Sequence, residues 1–354
     1  MYKLKIVTNK DTWNNFITES DFEFYSFLQS WEWGEFQILA GKDILRLGIY
    51  NENELIGVMQ IIKVRAKRAF YLFVPHGPLI VESKKGKEES KQGFFEVLKG
   101  ILPELKDLAK KEKFDFIRFN SAVKNTLQNK QEFEFLGFIN APMHEHAEDT
   151  HLLNLTPSED ELLNNIKKGD RYYINRAIKE GVGVFIGNTP EQIEILSIMH
   201  EEHSKKVGYH PFSREFIQNL YSVFTDNITT ISTRYDSSVE SILMTIKFGK
   251  TCVYYIAASD IKSHKFSPNY LCQWEAIKKA KADGCDIYNF WGVSPDDNPK
   301  HPIAGVTKFK RKFAGYDYSL LHAQDLPLTF KYWFNYLIET IRRIKRGYYY
   351  KKPQ

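Results

Sequence analysis

The chain has 354 residues, 43% of them hydrophobic and 26% charged, and no stretch approaches the roughly 20 consecutive apolar residues of a membrane span. This length favours two lobes with separate cores, and the 26 Phe and 20 Tyr residues favour strands over a coiled coil or a disordered chain. Residues 1–13 lack the apolar segment of a signal peptide, so the expected location is the cytoplasm.

The positive charge is concentrated near the C-terminus. Residues 331–352 contain seven Lys and Arg residues and one acidic residue, Glu339, whereas the formal net charge of the whole chain is +5. The rest of the chain is therefore close to neutral. This argues against a broad nucleic-acid-binding surface and for local basic features that face a polyanion or an anionic membrane.

The first half contains one helical segment followed by a β-β-β-α-β series. Residues 29–37, QSWEWGEFQ, resemble a helix whose aromatic side chains look exposed. The series then consists of strands at 44–50, 56–64 and 70–74, a helix at 94–111 and a strand at 114–119.

The same order recurs in the second half. It consists of strands at 231–235, 241–248 and 251–257, a helix at 269–282 and a strand at 286–290. An antiparallel meander followed by a helix and a further strand is the core order of the GNAT acyltransferase fold. We therefore expect a mixed α/β protein made of tandem duplicated GNAT-like lobes with central mixed sheets.

The boundary between the lobes is expected at residues 151–157, where a strand-like segment meets the helix-start signal Thr156-Pro157-Ser158-Glu159. The predicted domains are 1–151 together with 320–354 as the first lobe, and 152–319 as the second. Residues 294–305 form a long loop between elements, and such loops are usually functional or mobile.

A helix predicted at 165–181 carries a cationic face. Lys168, Arg171, Asn175 and Lys179 fall opposite an apolar face made of Ile166, Tyr173, Ile174, Ala177 and Ile178. Most such faces are simply solvated. The functional alternative is a ridge that binds the phosphates of tRNA or of a nucleotide.

A second candidate lies between residues 286 and 315. A strand ends at Trp291-Gly292, and a polar loop leads to an alternating segment predicted as a strand with Lys308 and Lys310 on one face and Phe309 on the other. An exposed loop with basic flanks explains this pattern. A lysine held there could also stabilise an oxyanion during acyl transfer.

The third candidate is aromatic. Tyr254 and Tyr255 occupy the third strand of the second half, facing opposite sides of the sheet, and Tyr270 and Trp274 lie on the next helix. Core packing explains most of this pattern, although a phenol can also orient an attacking amine.

Several kinds of site are not indicated. Cys252, Cys272 and Cys285 lack metal-ligand spacing and are expected to be reduced core thiols. No metal triad, phosphate-binding loop, G-x-G-x-x-G or Ser-His-Asp order is present, so neither a metal nor a cofactor is expected.

Together these segments resemble the Fem (FemX/FemA/FemB-like) family of peptidoglycan peptidyltransferases. The matching pieces are QSWEWGEFQ, KKGDRYYINRAIKEGVGV, VYYIAASD, SPNYLCQWEAIKKA, DIYNFWGVSPDDNP and GVTKFKRKFAG. The resemblance implies two GNAT-like lobes and an enzyme that transfers an amino acid from aminoacyl-tRNA to the peptide stem of UDP-MurNAc-pentapeptide or lipid II.

The resemblance also implies roles for individual residues. Lys310 corresponds to the lysine that supports acyl transfer in the family, and Tyr255 is its expected catalytic companion. The expected substrate-binding residues are Phe309, Lys308, Tyr254, Tyr270, Trp291, Gly292, Lys168, Arg171, His210, Trp33 and Gln37.

Departures from the family leave the acceptor open. In the member that takes the nucleotide-linked precursor, a lysine and an arginine grip the diphosphate, whereas this chain has Glu35-Phe36-Gln37 and Tyr209-His210-Pro211 in those neighbourhoods. At the end of the last strand of the first lobe, Asn120 also stands where the family has an acidic residue. The chain is also too short after Ala177 and near Asn269 for the helical-hairpin arm of the larger members, so it resembles the compact form.

The C-terminal segment 330–352 has apolar residues at helical spacing beside its basic ones. It is either a terminal helix docked on the first lobe or an interfacial helix that brings the enzyme to the inner face of the membrane. The protein is expected to be a monomer.

Two other functions compete. One is an acyl-CoA-dependent GNAT-like N-acyltransferase acting on a sugar or polysaccharide amine, for which residues 263–268 form only a poor pyrophosphate loop. The other is a non-enzymatic peripheral scaffold, supported by the basic tail alone.

Overall fold

The computed structural model describes residues 2–81, 93–208, 210–260 and 267–353. Tyr209 and residues 263–266, which the sequence analysis discusses, lie outside the described residues. The chain divides into two compact units, Met1–Asp149 with Ser319–Gln354, and Thr150–Tyr318. In the described part of the chain, no helix has the length and apolar character needed to cross a membrane.

The helices and strands follow one another in two similar series. The first comprises β1 (Tyr2–Ile6), α1 (Lys10–Thr18), α2 (Trp31–Leu39), β2 (Asp43–Asn51), β3 (Glu54–Arg65), β4 (Phe70–Pro75), β5 (Leu79–Ile80), α3 (Phe94–Lys111), β6 (Phe116–Asn120), α4 (Leu127–Phe135) and β7 (Ile139–Asn140). The second comprises β8 (Asp149–Asn154), α5 (Glu159–Asn165), α6 (Lys168–Lys179), β9 (Gly183–Gly187), α7 (Pro190–Val207), α8 (Arg214–Phe224), β10 (Ile228–Tyr235), β11 (Ser238–Phe248), β12 (Thr251–Ser259), α9 (Pro268–Ala282), β13 (Ile287–Gly292), α10 (Ala304–Lys310) and β14 (Tyr316–Ser319). The chain closes with β15 (Gln324–Pro327) and α11 (Tyr332–Arg346).

Each unit contains one mixed sheet. Among the described residues the strand order is β1-β2-β3-β4-β6-β15-β7 in the first unit, with β5 beside β3, and β14-β8-β13-β12-β11-β10-β9 in the second. In both sheets three consecutive antiparallel strands lead through a helix to a strand that pairs in parallel, β6 with β4 and β13 with β12. The predicted β-β-β-α-β repeat is therefore present in both halves.

Local sequence signals explain several boundaries. Ser158 and Glu161 form a reciprocal capping box at the start of α5. Asp236 and Ser237 both have positive φ, 47° and 67°, in the tight turn that joins β10 to β11. The capping box stabilises the helix start, and Asp and Ser tolerate the turn conformation. The predicted helix start and the predicted turn therefore occur where expected.

Two predicted segments differ from the structure. The helix expected at 165–181 is interrupted at Ile166, which is extended, and α6 begins only at Lys168. Ile174 and Ala177 are buried as predicted, whereas Tyr173 and Ile178 are largely exposed, because α6 buries only a narrow stripe. The aromatic side chains of α2 that looked exposed are also misassigned. Trp33 and Phe36 are buried and pack on each other, with ring centroids 5.0 Å apart.

The last helix, α11, is fixed to the first unit through its polar side. The buried guanidinium of Arg118 binds Asp325 through two hydrogen bonds of 2.7 and 2.8 Å and also binds Glu339 on α11 at 2.8 Å. Tyr332 donates a hydrogen bond to Asp325 and packs on Phe116. Breaking a buried pair of this kind leaves an uncompensated charge, so these contacts determine which side of α11 faces the protein.

Candidate active site

The segment that carries Lys308 and Lys310 is helical, which corrects the predicted strand. Residues two apart lie on one face of a strand but about 200° apart on a helix. In α10 the side chain of Lys308 is accordingly exposed, whereas Lys310 is only 6% exposed and Phe309 is half-buried. The structure thus separates the two lysines that the sequence pattern placed together.

The amine of Lys310 is held inside the second unit. Its Nζ donates a hydrogen bond of 2.6 Å to the carbonyl oxygen of Gly292 and lies 5.7 Å from the ring centroid of Tyr254. Lys310 makes no ion pair with any described residue. Burial lowers the pKa of Lys310 to about 7. At neutral pH the side chain is therefore divided between a neutral amine and an ammonium group, which suits proton transfer.

The two parallel strands next to Lys310 separate where the amine enters. Pairing between β12 and β13 covers Thr251–Val253 and Ile287–Asn289, although β12 continues to Ser259 and β13 to Gly292. Trp291 has a positive φ of 62°, and the pairing of β13 with β8 is irregular between Asn289 and Gly292. Gly292 thus lies beyond the paired part of β12 and β13, and its carbonyl oxygen accepts the hydrogen bond from Lys310.

A second polar group adjoins Lys310 and was not foreseen from the sequence. Lys312 donates a hydrogen bond to the hydroxyl oxygen of Tyr270 and forms an ion pair of 3.2 Å with Asp170. The ring of Tyr270 packs against Phe309 at 5.3 Å. Burial would lower the pKa of Lys312, but its bonds to Tyr270 and Asp170 raise it, so Lys312 remains a fixed positive charge. Lys312 lies just beyond the end of α10, in the turn Arg311–Phe313, so neither strand nor helix spacing in the sequence indicated its contact with Tyr270 and Asp170.

Asp170 connects this group to the cationic helix. Lys168 on α6 is exposed, and Arg171 is half-buried, where it donates a hydrogen bond of 2.5 Å to Asn164. Lys168 and Arg171 are both within one helical turn of Asp170 along α6. Lys168 and Arg171 therefore belong to the helix that contacts the Tyr270–Lys312 pair through Asp170.

Tyr255 occupies the opposite face of β12 from Tyr254. Tyr254 packs against the core below α9, whereas Tyr255 contacts Phe212 and Trp291, with centroid distances of 5.9 and 6.0 Å. Burial raises the pKa of Tyr255. His210 is exposed two residues before Phe212. The structure thus brings Lys310 to Tyr254 and places Tyr255 and Trp291 in a separate aromatic cluster.

The remaining two predicted residues belong to the first unit. Gln37 is half-buried near the end of α2, and Trp33 is 2% exposed. The indole N–H of Trp33 and the side-chain N–H groups of Asn120 are buried without an acceptor among the described residues. Both side chains adjoin His146, whose pKa burial lowers to about 3, so that this imidazole is neutral.

Comparison with known proteins identifies the family. The model of the FemAB family matches residues 8–236 and 231–339. The chain belongs to the FemAB family. It is 38% identical over 65 residues to the aminoacyltransferase FemA of Staphylococcus epidermidis, a match that covers 18% of this chain and 15% of FemA.

Solved structures show the fold of the FemAB chain. FemX superimposes with a TM-score of 0.80 and 17% identity over 95% of this chain and 100% of FemX. A tandem GNAT protein from the clavulanic acid biosynthesis pathway superimposes with a TM-score of 0.55 and 9% identity over 92% of this chain and 98% of that protein. The predicted fold of tandem GNAT-like lobes is confirmed. The longest helices among the described residues, α3 and α7, have 18 residues each, in agreement with the compact form.

Replacing Lys310 with Met should change how stability depends on pH. The unfolded chain keeps the proton of Lys310 up to its ordinary pKa of 10.5, whereas the folded chain releases it near pH 7. Between these values the unfolded state binds more protons, so folding becomes more favourable as pH rises. From about pH 7 to about pH 9, wild type should gain about 2 kcal/mol relative to Lys310→Met in urea unfolding.

Lys308→Met, on the exposed side of the same helix, is the matched control and should follow wild type. If the free energy of unfolding changed with pH in the same way for wild type and Lys310→Met over this range, the amine of Lys310 would keep its ordinary pKa in the folded protein.

Proposed function

We propose that this FemAB chain is an aminoacyltransferase that forms an amide bond between an amino acid delivered by aminoacyl-tRNA and the peptide stem of a peptidoglycan precursor, in cell-wall cross-bridge synthesis. The observation that carries the proposal is the buried amine of Lys310 between Gly292 and Tyr254. Membership of the FemAB family and the name of the matched relative, aminoacyltransferase FemA, support it.

The proposed chemistry needs a positioned proton carrier and no protein nucleophile. The amine of the acceptor attacks the carbonyl carbon of the aminoacyl ester, and the C–O bond to the tRNA ribose then breaks. The neutral form of Lys310 donates one N–H to Gly292 and keeps its lone pair for the proton that the attacking amine loses. The resulting ammonium group can stabilise the oxyanion or protonate the departing ribose oxygen.

The surroundings of Lys310 suit an activated donor. An ester of tRNA is already activated, so the enzyme has mainly to position the two reactants and stabilise charge. The exposed Lys168 and the neighbouring Arg171 on α6 offer charge-assisted hydrogen bonds to phosphates of the tRNA. Asp170 and Lys312 orient the phenol of Tyr270 between this helix and α10.

The acyl-CoA alternative receives less support. Its sequence support is weak, since residues 263–268 are only a poor version of a pyrophosphate loop. Ser267, the last residue before α9, makes no side-chain cap on that helix. We retain aminoacyl-tRNA as the donor, UDP-MurNAc-pentapeptide or lipid II as the acceptor, a cytoplasmic location and a monomeric state as parts of the proposal.

Replacing Lys310 with Met should reduce aminoacyl transfer by about 10²- to 10⁴-fold, the usual contribution of a general acid or base. The measurement is single-turnover product formation, by mass spectrometry, from charged tRNA and either acceptor. Lys205→Met, on the exposed surface of α7, is the control and should retain wild-type transfer.

Lys310→Arg separates two roles of Lys310. Arginine stays charged, so it can stabilise an oxyanion but cannot accept the proton of the attacking amine. Loss of transfer in both variants supports proton transfer. Full activity of Lys310→Met would remove Lys310 from the mechanism.

The proposed acceptor also gives a role to α11, which presents an apolar face away from the unit that holds it. Tyr332, Asn335 and Glu339 face the protein. Large apolar side chains on the opposite side are exposed: Phe330, Trp333, Phe334, Leu337, Ile341 and Ile344. A globular helix normally directs such a face toward the core, so another apolar phase is the expected partner.

Charge indicates which partner fits this face. Arg342 and Lys345 lie nearest to it and are exposed, and Lys351 and Lys352 follow the helix. Each basic residue near an anionic membrane surface contributes about 1 kcal/mol of attraction. We therefore propose that residues 331–352 lie at an anionic membrane surface, with the apolar face of α11 in the headgroup region. Docking on the first unit and binding to a membrane are compatible because they use opposite sides of α11.

The double variant Leu337→Glu/Ile341→Glu should abolish co-sedimentation of the protein with phosphatidylglycerol-containing vesicles. Both side chains are exposed, and the Arg118–Glu339 contact remains, so the fold should persist. Phe135→Glu, at an exposed aromatic residue on α4, is the matched control and should bind like wild type.

Wild type should not pellet with pure phosphatidylcholine, and salt should weaken its binding to anionic vesicles. Undiminished binding by the double variant would contradict the membrane role of α11. A dimer in sedimentation velocity that the double variant dissociates would assign the face to a second copy instead.

A further inference from the structure

Three side chains from two distant segments of the first unit meet at one point. Nδ1 of His322 lies 2.7 Å from Oε2 of Glu148, and Nδ1 of His144 lies 3.3 Å from the same oxygen. These three potential ligand atoms all lie within 4.8 Å of one another. Glu148 and His322 are buried, and His144 is partly exposed.

The backbone orients the two buried side chains. Nε2 of His322 faces the carbonyl oxygen of Ala141 at 2.8 Å, and because a carbonyl can only accept, Nε2 carries the proton. The backbone N–H of Ala323 donates a hydrogen bond of 2.7 Å to Oε1 of Glu148. Nδ1 of His322 in turn donates a hydrogen bond of 2.7 Å to Oε2 of Glu148, so a cation that displaces this proton would take those two atoms as ligands. A histidine that binds a metal through one nitrogen commonly donates its other N–H to such a carbonyl.

We propose that His144, Glu148 and His322 bind a divalent transition-metal ion of the zinc type. Two imidazole nitrogens and one carboxylate oxygen are a ligand set that zinc accepts, with a further position left for water or another ligand. The carboxylate supplies a negative charge, and the two imidazoles are neutral when they coordinate.

Two of the three proposed ligands, His144 and His322, line a cavity of the same unit. The cavity has a volume of ≈ 310 Å³, and its lining includes His144, His322, Arg343, Arg346 and Tyr350. The ring of Tyr350 stacks on His322 with a centroid distance of 3.7 Å. The two arginines favour an anionic group as the fourth ligand. Residues of the C-terminal segment therefore line the cavity next to the proposed metal site.

The sequence patterns predicted no metal site, because His322 is far from the other two proposed ligands in the chain. His144 and Glu148 are four residues apart on a segment without helix or strand, and His322 follows 174 residues after Glu148. No local motif links them. Only the return of the chain to the first unit at Ser319 brings them together.

The direct test is titration of the EDTA-treated full-length protein with zinc ions by isothermal calorimetry, combined with X-ray absorption at the zinc edge. One zinc ion per chain should bind through nitrogen and oxygen at about 2.0–2.1 Å, without the sulfur shell at about 2.3 Å that binding to cysteines would give. His144→Ala should weaken binding at least as much as the roughly 10- to 100-fold that loss of an outer-shell partner costs.

Glu148→Gln provides a second variant that keeps the shape of the side chain and removes its charge, and its affinity should also fall. His210→Ala, at an exposed histidine of the other unit, should bind zinc like wild type. Circular dichroism checks that each variant is folded. Absence of stoichiometric zinc binding, a sulfur shell, or unchanged affinity in folded His144→Ala and Glu148→Gln would each overturn the proposed metal site.

Discussion

The separation of β12 from β13 is the constraint on which the candidate active site depends. The amine of Lys310 lies where the two strands no longer pair, since it contacts Gly292 of β13 and the ring of Tyr254 of β12. Pairing ends at Val253 and Asn289, and the backbone of Trp291 turns into the left-handed region. The carbonyl oxygen of Gly292 accepts a hydrogen bond of 2.6 Å from the amine, and burial lowers the pKa of Lys310 to about 7. The position of the amine next to β12 and β13 thus accounts for both its hydrogen bond and its burial.

The first unit shows a comparable dependence on one buried group. Arg118 forms ion pairs with both Asp325 on β15 and Glu339 on α11, so the same guanidinium fixes a strand and the helix that follows it. This contact leaves the apolar side of α11 facing away from the protein. The chain leaves α11 at Arg346 and reaches Tyr350, which stacks on His322. The membrane surface and the metal site that we propose both rely on this closing segment.

Much of the fold could be predicted from the sequence because its signals are local. The alternation in the strands, the capping box at Ser158 and the turn at Asp236 each depend on a few neighbouring residues. The error at Lys308 and Lys310 has an equally local reason. Five alternating residues fit a strand and a short helix almost equally well, and only packing against Gly292 and Tyr254 decides between them.

The sequence patterns could not predict contacts between residues that are far apart in the chain. The pairing of Lys312 with Asp170, and of His322 with Glu148, joins segments separated by more than a hundred residues. The burial of Trp33 likewise depends on its aromatic neighbours Phe27 and His146. Resemblance to the Fem family supplied the candidate residues, whereas the structure shows which of them are neighbours.

The proposed mechanism requires that the amine of Lys310 be partly neutral at physiological pH. NMR titration of the whole 354-residue chain with ¹³C- and ¹⁵N-labelled lysine, assigned through loss of the signal in Lys310→Arg, measures this directly. The Lys310 resonance should titrate with a midpoint near pH 7. A midpoint near the ordinary lysine value of 10.5 would contradict this requirement.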